Sequence, residues 1–168
     1  FAHTFAPAGF RREAFRPAYG LAEATLLVSI HPPATPPFFL TLDAASLEKG
    51  IVQPTENTNP LLVRTLCGCG PAARNTRIQI MGETGQPCLP HQIGEIWVSG
   101  PGVTEGYWNR EEKDTVEWEG EQFLRTGDLG FLHNGSLFIT GRARDMIVVA
   151  GANHTAQDVE WCAEAAHP

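Results

Sequence analysis

Two short stretches carry side chains whose types and spacing suit ligand chemistry. The first spans residues 123–142, FLRTGDLGFLHNGSLFITGR, with Arg125, Thr126 and Asp128 at its head and Arg142 at its foot. A carboxylate beside a glycine, as in Gly127-Asp128, can lie close to a ligand because glycine lets the backbone approach. An arginine near it can neutralise phosphate or fork onto vicinal hydroxyls. A solvated hairpin with an incidental Asp–Arg pair is the plainer reading of the same residues. The second stretch is YGLAEAT, residues 19–25, with an aromatic face, small positions and one carboxylate. Tyr19 could stack a base and Glu23 could hold a cation. An ordinary strand-to-loop junction with an exposed Glu is the alternative.

These residues need elements to position them. Residues 123–142 read as two alternating strands joined at Asn134-Gly135, a strong short-range hairpin signal. Residues 61–66, 76–81 and 95–99 also alternate or run apolar with β-branched side chains, separated by turns at 68–71, 83–85 and 90–94. Pro101-Gly102 opens a loop to Gly106-Tyr107-Trp108, whose adjacent aromatics are expected to pack rather than bind. Residues 111–118 read as a short helix with its charges outward. The sum is an α+β but mostly β fold: a small twisted sheet or half-barrel of about six to eight strands with few helices.

Upstream, residues 1–16 read as a helix end, a turn and a Phe-rich lead-in. From His31 to Pro60 the chain turns irregular, with Pro32, Pro33, Pro36 and Pro37 before a short apolar run at 38–42. Asp43 then caps a helix start and Gly50 ends it. An insertion of this length in a compact domain is usually functional or a cover. After Arg142 the character changes: a polar junction at 143–145, a short strand at 146–150, a turn at 151–154 and a helix from Thr155 or Ala156. A junction between two rigid units is where a hinge would sit.

The 168 residues suffice for one modest domain, and 42% hydrophobic with 18% charged residues fits a packed core. A net charge of −7 leaves no basic surface for nucleic acid. No apolar run approaches the roughly 18 residues of a membrane span. Cys67, Cys69, Cys88 and Cys162 form one tight pair and two singles, which is not zinc-site spacing; they read as reduced, buried thiols of a cytoplasmic protein. The chain opens at Phe1 without an initiator Met or a signal-peptide pattern, and it stops soon after a helix begins. The expectation is a piece of a longer protein.

Taken in order, YGLAEAT, GEIWVSGPGVTEGYW, FLRTGDLGFL, GRARDMIVVAG and NHTAQDVE resemble the adenylate-forming enzymes, and more narrowly the fatty acyl-AMP ligases. These relatives of the acyl-CoA synthetases supply lipids to polyketide and peptide assembly lines. The resemblance covers nearly the whole chain, and five ordered motifs are far more specific than any one. It implies a distorted β-barrel closing an N-terminal adenylation domain over residues 1–142, and the start of a small, swivelling C-terminal α/β domain over 143–168.

Carried over by position, the resemblance implies ATP or AMP and Mg2+ as ligands. Tyr19 would stack on adenine, Gly20 would lie along the ring and Glu23 would bind the Mg2+. Asp128 would accept both ribose hydroxyls, Arg142 would contact ribose or phosphate, and Arg144 would sit at the hinge. The implied reaction is attack of a fatty carboxylate on the α-phosphorus of ATP with loss of pyrophosphate, and transfer of the acyl group to a carrier protein of a polyketide or peptide synthase. No catalytic residue is expected within these residues: the phosphate loop would lie upstream and the catalytic Lys downstream, so the piece alone would be inactive. Ala22 before Glu23, and an insertion over residues 30–62, favour the acyl-AMP branch over a CoA-forming synthetase. A non-catalytic adenylation-like module is the reading from another class. One departure is Ala150-Gly151-Ala152, where the family has two arginines around the glycine; Thr155-Ala156 likewise replaces Tyr-Pro, while His154 is kept.

Overall fold

The computed structural model describes residues 1–109, 114–149, 152–154 and 156–166. Helix α1 (Ala2–Phe5) runs into a 3-10 turn over Ala6–Ala8, which ends where Gly9 takes a φ of +85°. Beside it Phe1, Phe5, Phe10 and Phe15 gather, with ring centroids 4.6–5.9 Å apart. Strands β1 (Ala18–Tyr19) and β2 (Ser29–Ile30) then pair antiparallel. They tie off the base of a loop whose middle is the 3-10 turn Ala22–Ala24.

The insertion folds as structure rather than as a plain loop. Strand β3 (Phe39–Asp43) leads into helix α2 (Ala44–Leu47), and β4 (Val63–Cys67) returns along β3 from Phe39↔Cys67 to Asp43↔Val63. Asp43 caps α2 as expected, accepting the Ser46 N–H at 2.8 Å, and Gly50 stops the turn beyond it with φ +74°. Leu42 and Val52 bury against Phe131 and Phe138, so the insertion is rooted in the core.

A five-stranded sheet holds everything else. Strands β5 (Arg77–Met81), β6 (Gly94–Ser99), β7 (Thr115–Trp118), β8 (Glu121–His133) and β9 (Ser136–Arg142) build it in the order β5-β6-β8-β7, with β9 also on β8. The β8–β9 hairpin turns at Asn134-Gly135, both with positive φ, as its sequence predicts. Alternation divides the core between the two faces. Ile96 and Val98 pack with Ile78, Ile80, Val28 and Leu137, whereas Trp97 packs on the other face with Met81 and Phe123. Phe131 and Phe138 stack with planes 2° apart and centroids at 5.0 Å. The curled, mostly β architecture is the one expected.

Three expectations need correction. The helix over 111–118 does not form where it is described: residues 115–118 are strand β7, while 111–113 lie outside the described residues. Thr115, Val116 and Trp118 favour extended backbone, and Glu119 and Gly120, at φ +52° and +77°, turn the chain straight into β8. Second, residues 152–154 are not a turn. They form β11 (Ala152–His154), which pairs with β10 (Ile147–Val149), and Gly151 lies outside the described residues. Helix α3 (Ala156–Ala166) follows where a helix was expected. Third, the main sheet holds five strands rather than about six to eight, and the other described strands pair in twos, because short pairs such as β1–β2 carry no periodic signal. No helix among the described residues is long and apolar enough to cross a membrane.

Candidate functional site

Asp128 is presented by an irregularity inside a strand, not by a loop ahead of one. Strand β8 pairs with β6 through Trp97↔Arg125 and again through Glu95↔Leu129. Between these pairs Thr126, Gly127 and Asp128 face the single residue Ile96, so β8 bulges. Gly127 takes φ +72°, which glycine adopts at little cost. The bulge is tied from both sides. The Thr126 hydroxyl donates to the Ile96 carbonyl at 2.7 Å and accepts the Asp128 N–H at 3.1 Å. The Gly127 N–H donates to Glu95 Oε1 at 3.2 Å. Glu95 Oε2 accepts from Trp97 Nε1 at 3.0 Å and from Arg125 Nε at 3.1 Å, with the Arg125 guanidinium also ion-paired to it.

The bulge delivers Asp128 into a constellation gathered from three parts of the chain. Asp128 is only 7% exposed, and its two carboxylate oxygens are held separately. Tyr19 donates its hydroxyl to Oδ2 at 2.6 Å, and Arg142 donates Nε to Oδ1 at 2.8 Å. Arg142 stands directly across the ladder from Asp128 as the last residue of β9, not beyond it. Burial, and then the bond to Asp128, push the Tyr19 phenol well above its ordinary range, so it remains a donor. The Arg142 guanidinium is held in its charged form chiefly by its hydrogen bond to Asp128. A carboxylate has about four lone-pair sites, so two acceptor positions remain for a ligand's hydroxyls.

Glu23 sits in the 3-10 turn between β1 and β2, in the loop that Tyr19 and Ser29 close. The two residues after this turn, Thr25 and Leu26, are both left-handed, at φ +53° and +73°. Such strain in non-glycine residues persists only where the surroundings enforce it. Here the enforcement comes from the 100–109 loop: the Thr104 N–H donates to the Glu23 carbonyl at 2.8 Å, and the Thr25 hydroxyl donates to the Gly102 carbonyl at 2.6 Å. The Tyr107 hydroxyl hydrogen-bonds Glu23 Oε1. That bond, first among several causes, holds the Glu23 carboxyl below the usual carboxylate range, with the positive charge of Arg142 contributing from a distance. Gly20 is required by sterics alone: a Cβ there would lie 1.4 Å from the Leu26 carbonyl oxygen.

The structure therefore brings Tyr19, Asp128 and Arg142 into direct contact and sets Glu23 within the field of Arg142. Arg144 lies apart, exposed in the 3-10 turn Ala143–Asp145 that connects β9 to β10. Beside Asp128 a cleft of about 300 Å³ opens between the hairpin and α3, lined by Arg142, Asp145 and Glu160 among others. The Tyr107-Trp108 pair does not pack as expected: Trp108 is 94% exposed and Tyr107 half exposed. Cys67, Cys69 and Cys88 are half-buried rather than buried, and Cys162 is exposed. Burial pushes the Cys69 thiol up to about 11. Sequence reasoning passed over Glu95 and the role of Tyr107. The available signal was Gly127, since an isolated glycine inside a strand pattern marks a bulge and a bulge needs a partner across the ladder.

Comparison with known proteins adds an independent line. A family model described as AMP-binding enzyme matches residues 2–108. The medium-chain-fatty-acid–[acyl-carrier-protein] ligase JamA of Moorena producens is 46% identical over 179 residues, covering 100% of this chain and 30% of that protein. The long-chain-fatty-acid–AMP ligase FadD32 of Mycolicibacterium smegmatis is 32% identical over 183 residues, covering 99% and 29%. A solved structure from work on fatty acyl-adenylate ligases of E. coli and L. pneumophila superposes with a TM-score of 0.87 at 36% identity, over 98% of this chain and 29% of the other. The L. pneumophila ligase in complex with acyl adenylate and pyrophosphate superposes with a TM-score of 0.77 at 37% identity, over 85% and 26%. The chain thus spans about 30% of the length of the curated relatives it matches.

Proposed function

The chain belongs to the AMP-binding enzymes, and on that premise we propose that it is the nucleotide-holding part of a fatty acyl-AMP ligase. The observation that carries the reading is Asp128, a nearly buried carboxylate gripped by Tyr19 and Arg142 with acceptor capacity left over. A ligand with two vicinal hydroxyls and a negative tail suits that arrangement, because Asp128 takes the hydroxyls while Arg142 faces the phosphate. Tyr19 offers its ring to the adenine while its hydroxyl stays on Asp128, which fixes base and ribose relative to each other. Gly20 keeps the loop closed beside them.

The donor chemistry fits Mg2+. Among the described residues no group of three or more His, Cys, Asp or Glu forms a dedicated metal cage. Mg2+ bound through a single carboxylate and substrate phosphates needs none, and Glu23 is the carboxylate that would hold it. Held there, the ion would supply neutralisation of phosphate charge; the reaction in this reading is attack of a fatty carboxylate on the α-phosphorus with loss of pyrophosphate. The protein's own share is positioning and charge stabilisation. Arg144, in the connection between the five-stranded sheet and the separate β10–β11 pair, is the hinge in this reading. Residues 1–142 then close the adenylation domain and 143–168 open the swivelling one. The acyl group passes to a carrier protein of a polyketide or peptide synthase in the cytoplasm; the JamA likeness and the free cysteines support this.

The test is fatty-acid-dependent ATP–pyrophosphate exchange by the full-length protein and its Asp128→Ala variant. Exchange in the parent, falling at least a hundredfold in the variant, is expected. Undiminished exchange in the variant would remove Asp128 from the nucleotide site.

A further inference from the structure

We infer that Glu95, with Thr126, is a positioning residue that sets the enzyme's grip on the ribose. The inference rests on the reading of Asp128 as the ribose carboxylate. Glu95 itself touches no ligand in this account; it acts through the backbone of the bulge.

Asp128 can accept two hydroxyls only if its carboxylate faces the ligand at the right depth, and that depth is fixed by the backbone of residues 126–128. On its β6 side this backbone is where the β8 ladder is interrupted. The regular ladder to β6 stops after Trp97↔Arg125 and resumes at Glu95↔Leu129, so three residues lack their ordinary pairing to β6, while Asp128 stays paired with Arg142 of β9. Side chains replace the ladder. Glu95 Oε1 takes the Gly127 N–H, and Thr126 takes the Asp128 N–H while holding the Ile96 carbonyl. Two consecutive amides, those of Gly127 and Asp128, thus each donate to a side-chain oxygen.

Glu95 can serve as a fixed acceptor because its own carboxylate is pinned. Trp97 Nε1 lies 3.0 Å from Oε2, and the Arg125 guanidinium holds the same oxygen through Nε at 3.1 Å and a terminal nitrogen at 3.0 Å. Charge-assisted bonds of this kind are shorter and stronger than neutral ones. Arg125 lies over the Trp97 ring, its guanidinium carbon 5.9 Å from the centroid, so it too has one preferred place. Glu95 is largely buried beneath this cover, with its side chain 18% exposed. The result is a rigid post beneath a bulge, and a misplacement of the supported group by 1 Å can cost about a hundredfold in function.

A purely structural Glu95 would affect all nucleotides alike, whereas a ribose-positioning Glu95 must act through the hydroxyls. The experiment measures dissociation constants of ATP and 2′,3′-dideoxy-ATP for the full-length protein, wild type and variants. Wild type should prefer ATP by about 10- to 100-fold, since two hydrogen bonds to a charged group are at stake. Glu95→Ala should weaken ATP about tenfold while leaving dideoxy-ATP within about twofold, compressing the preference. Thr126→Val, which removes the other tie, should do the same and serves if Glu95→Ala does not fold. Asp128→Ala is the reference and should abolish the preference. If Asp128→Ala abolishes it but neither Glu95→Ala nor Thr126→Val compresses it, the positioning role is overturned and the ribose reading stands. If Asp128→Ala leaves the preference intact, both are overturned.

Discussion

Gly20→Ala should disable the site while leaving most of the fold standing. The added Cβ would lie 1.4 Å from the Leu26 carbonyl oxygen and 2.6 Å from its carbon. Real Cβ atoms essentially never come within 3.0 Å of such a neighbour, so the two segments must part by about 1.6 Å. The obstacle is main chain and cannot rotate away. Nor can the carbonyl easily retreat, because the flanking amides are committed: Leu27 N–H to Thr25 O at 3.1 Å and Val28 N–H to Tyr19 O at 3.0 Å. The displacement falls on the loop that carries Glu23, whose neighbours Thr25 and Leu26 already hold left-handed backbone. Overpacking of this kind costs about 1–3 kcal/mol of stability. Function should suffer more, since a shift above 1 Å at a positioned group costs about a hundredfold. The assay is fatty-acid-dependent ATP–pyrophosphate exchange beside a thermal melt. Gly82→Ala is the control, because its Cβ would meet the Gln86 carbonyl at an ordinary 3.5 Å. Wild-type exchange in Gly20→Ala would refute the claim that this loop must close tightly on itself.

Other outcomes follow from the packing and the charges. Phe138→Ala should cost about 3–5 kcal/mol in denaturant unfolding, because Phe138 is fully buried and stacks on Phe131, and it should loosen the insertion rooted there through Leu42 and Val52. Tyr107→Phe removes the hydroxyl held by Glu23 and should raise the Mg2+ or Mn2+ concentration needed for half-maximal ATP binding about tenfold; metal titration by calorimetry checks this. Asp43 is held below its ordinary carboxylate range by its bonds to Ser46. Its contribution is therefore present above the unfolded-state value and lost as the pH falls through the lower folded value. The protection of the Ser46 amide against hydrogen exchange, taken relative to its intrinsic rate, should fall as acid protonates Asp43 in the parent, and Asp43→Ala should lack that protection throughout.

Those elements with a strong local signal were legible in the sequence. The Asn134-Gly135 turn fixes the β8–β9 hairpin by its need for positive φ, and the capping Asp43 marks the start of α2, because both depend on neighbours a few residues away. Residues 115–118 misled because Glu111, Glu112 and Glu117 suggest a charged helix face, whereas Glu119-Gly120 turns the segment onto β8 as an edge strand. Tyr19, Asp128 and Arg142 were individually visible as chemically capable residues. Their meeting was not, since it joins residues 109 positions apart. Glu95 was missed for the same reason: Gly127 marks a bulge, but which residue of GEIWVS supports it is decided only once β6 lies beneath β8. Tyr107 was read as packing because adjacent aromatics usually do, but its loop reaches over to Glu23 instead.

Fatty acid adenylation by the full-length protein tests the proposed nucleotide site most directly. The most direct measurement incubates the full-length protein with a medium-chain fatty acid, ATP and Mg2+, with and without CoA, and separates the labelled products. Acyl-AMP in both conditions is the result this account predicts. Efficient acyl-CoA formation would instead place the protein among the CoA-forming synthetases. Absence of any acyl-AMP, with every acid tried, would contradict the claim outright.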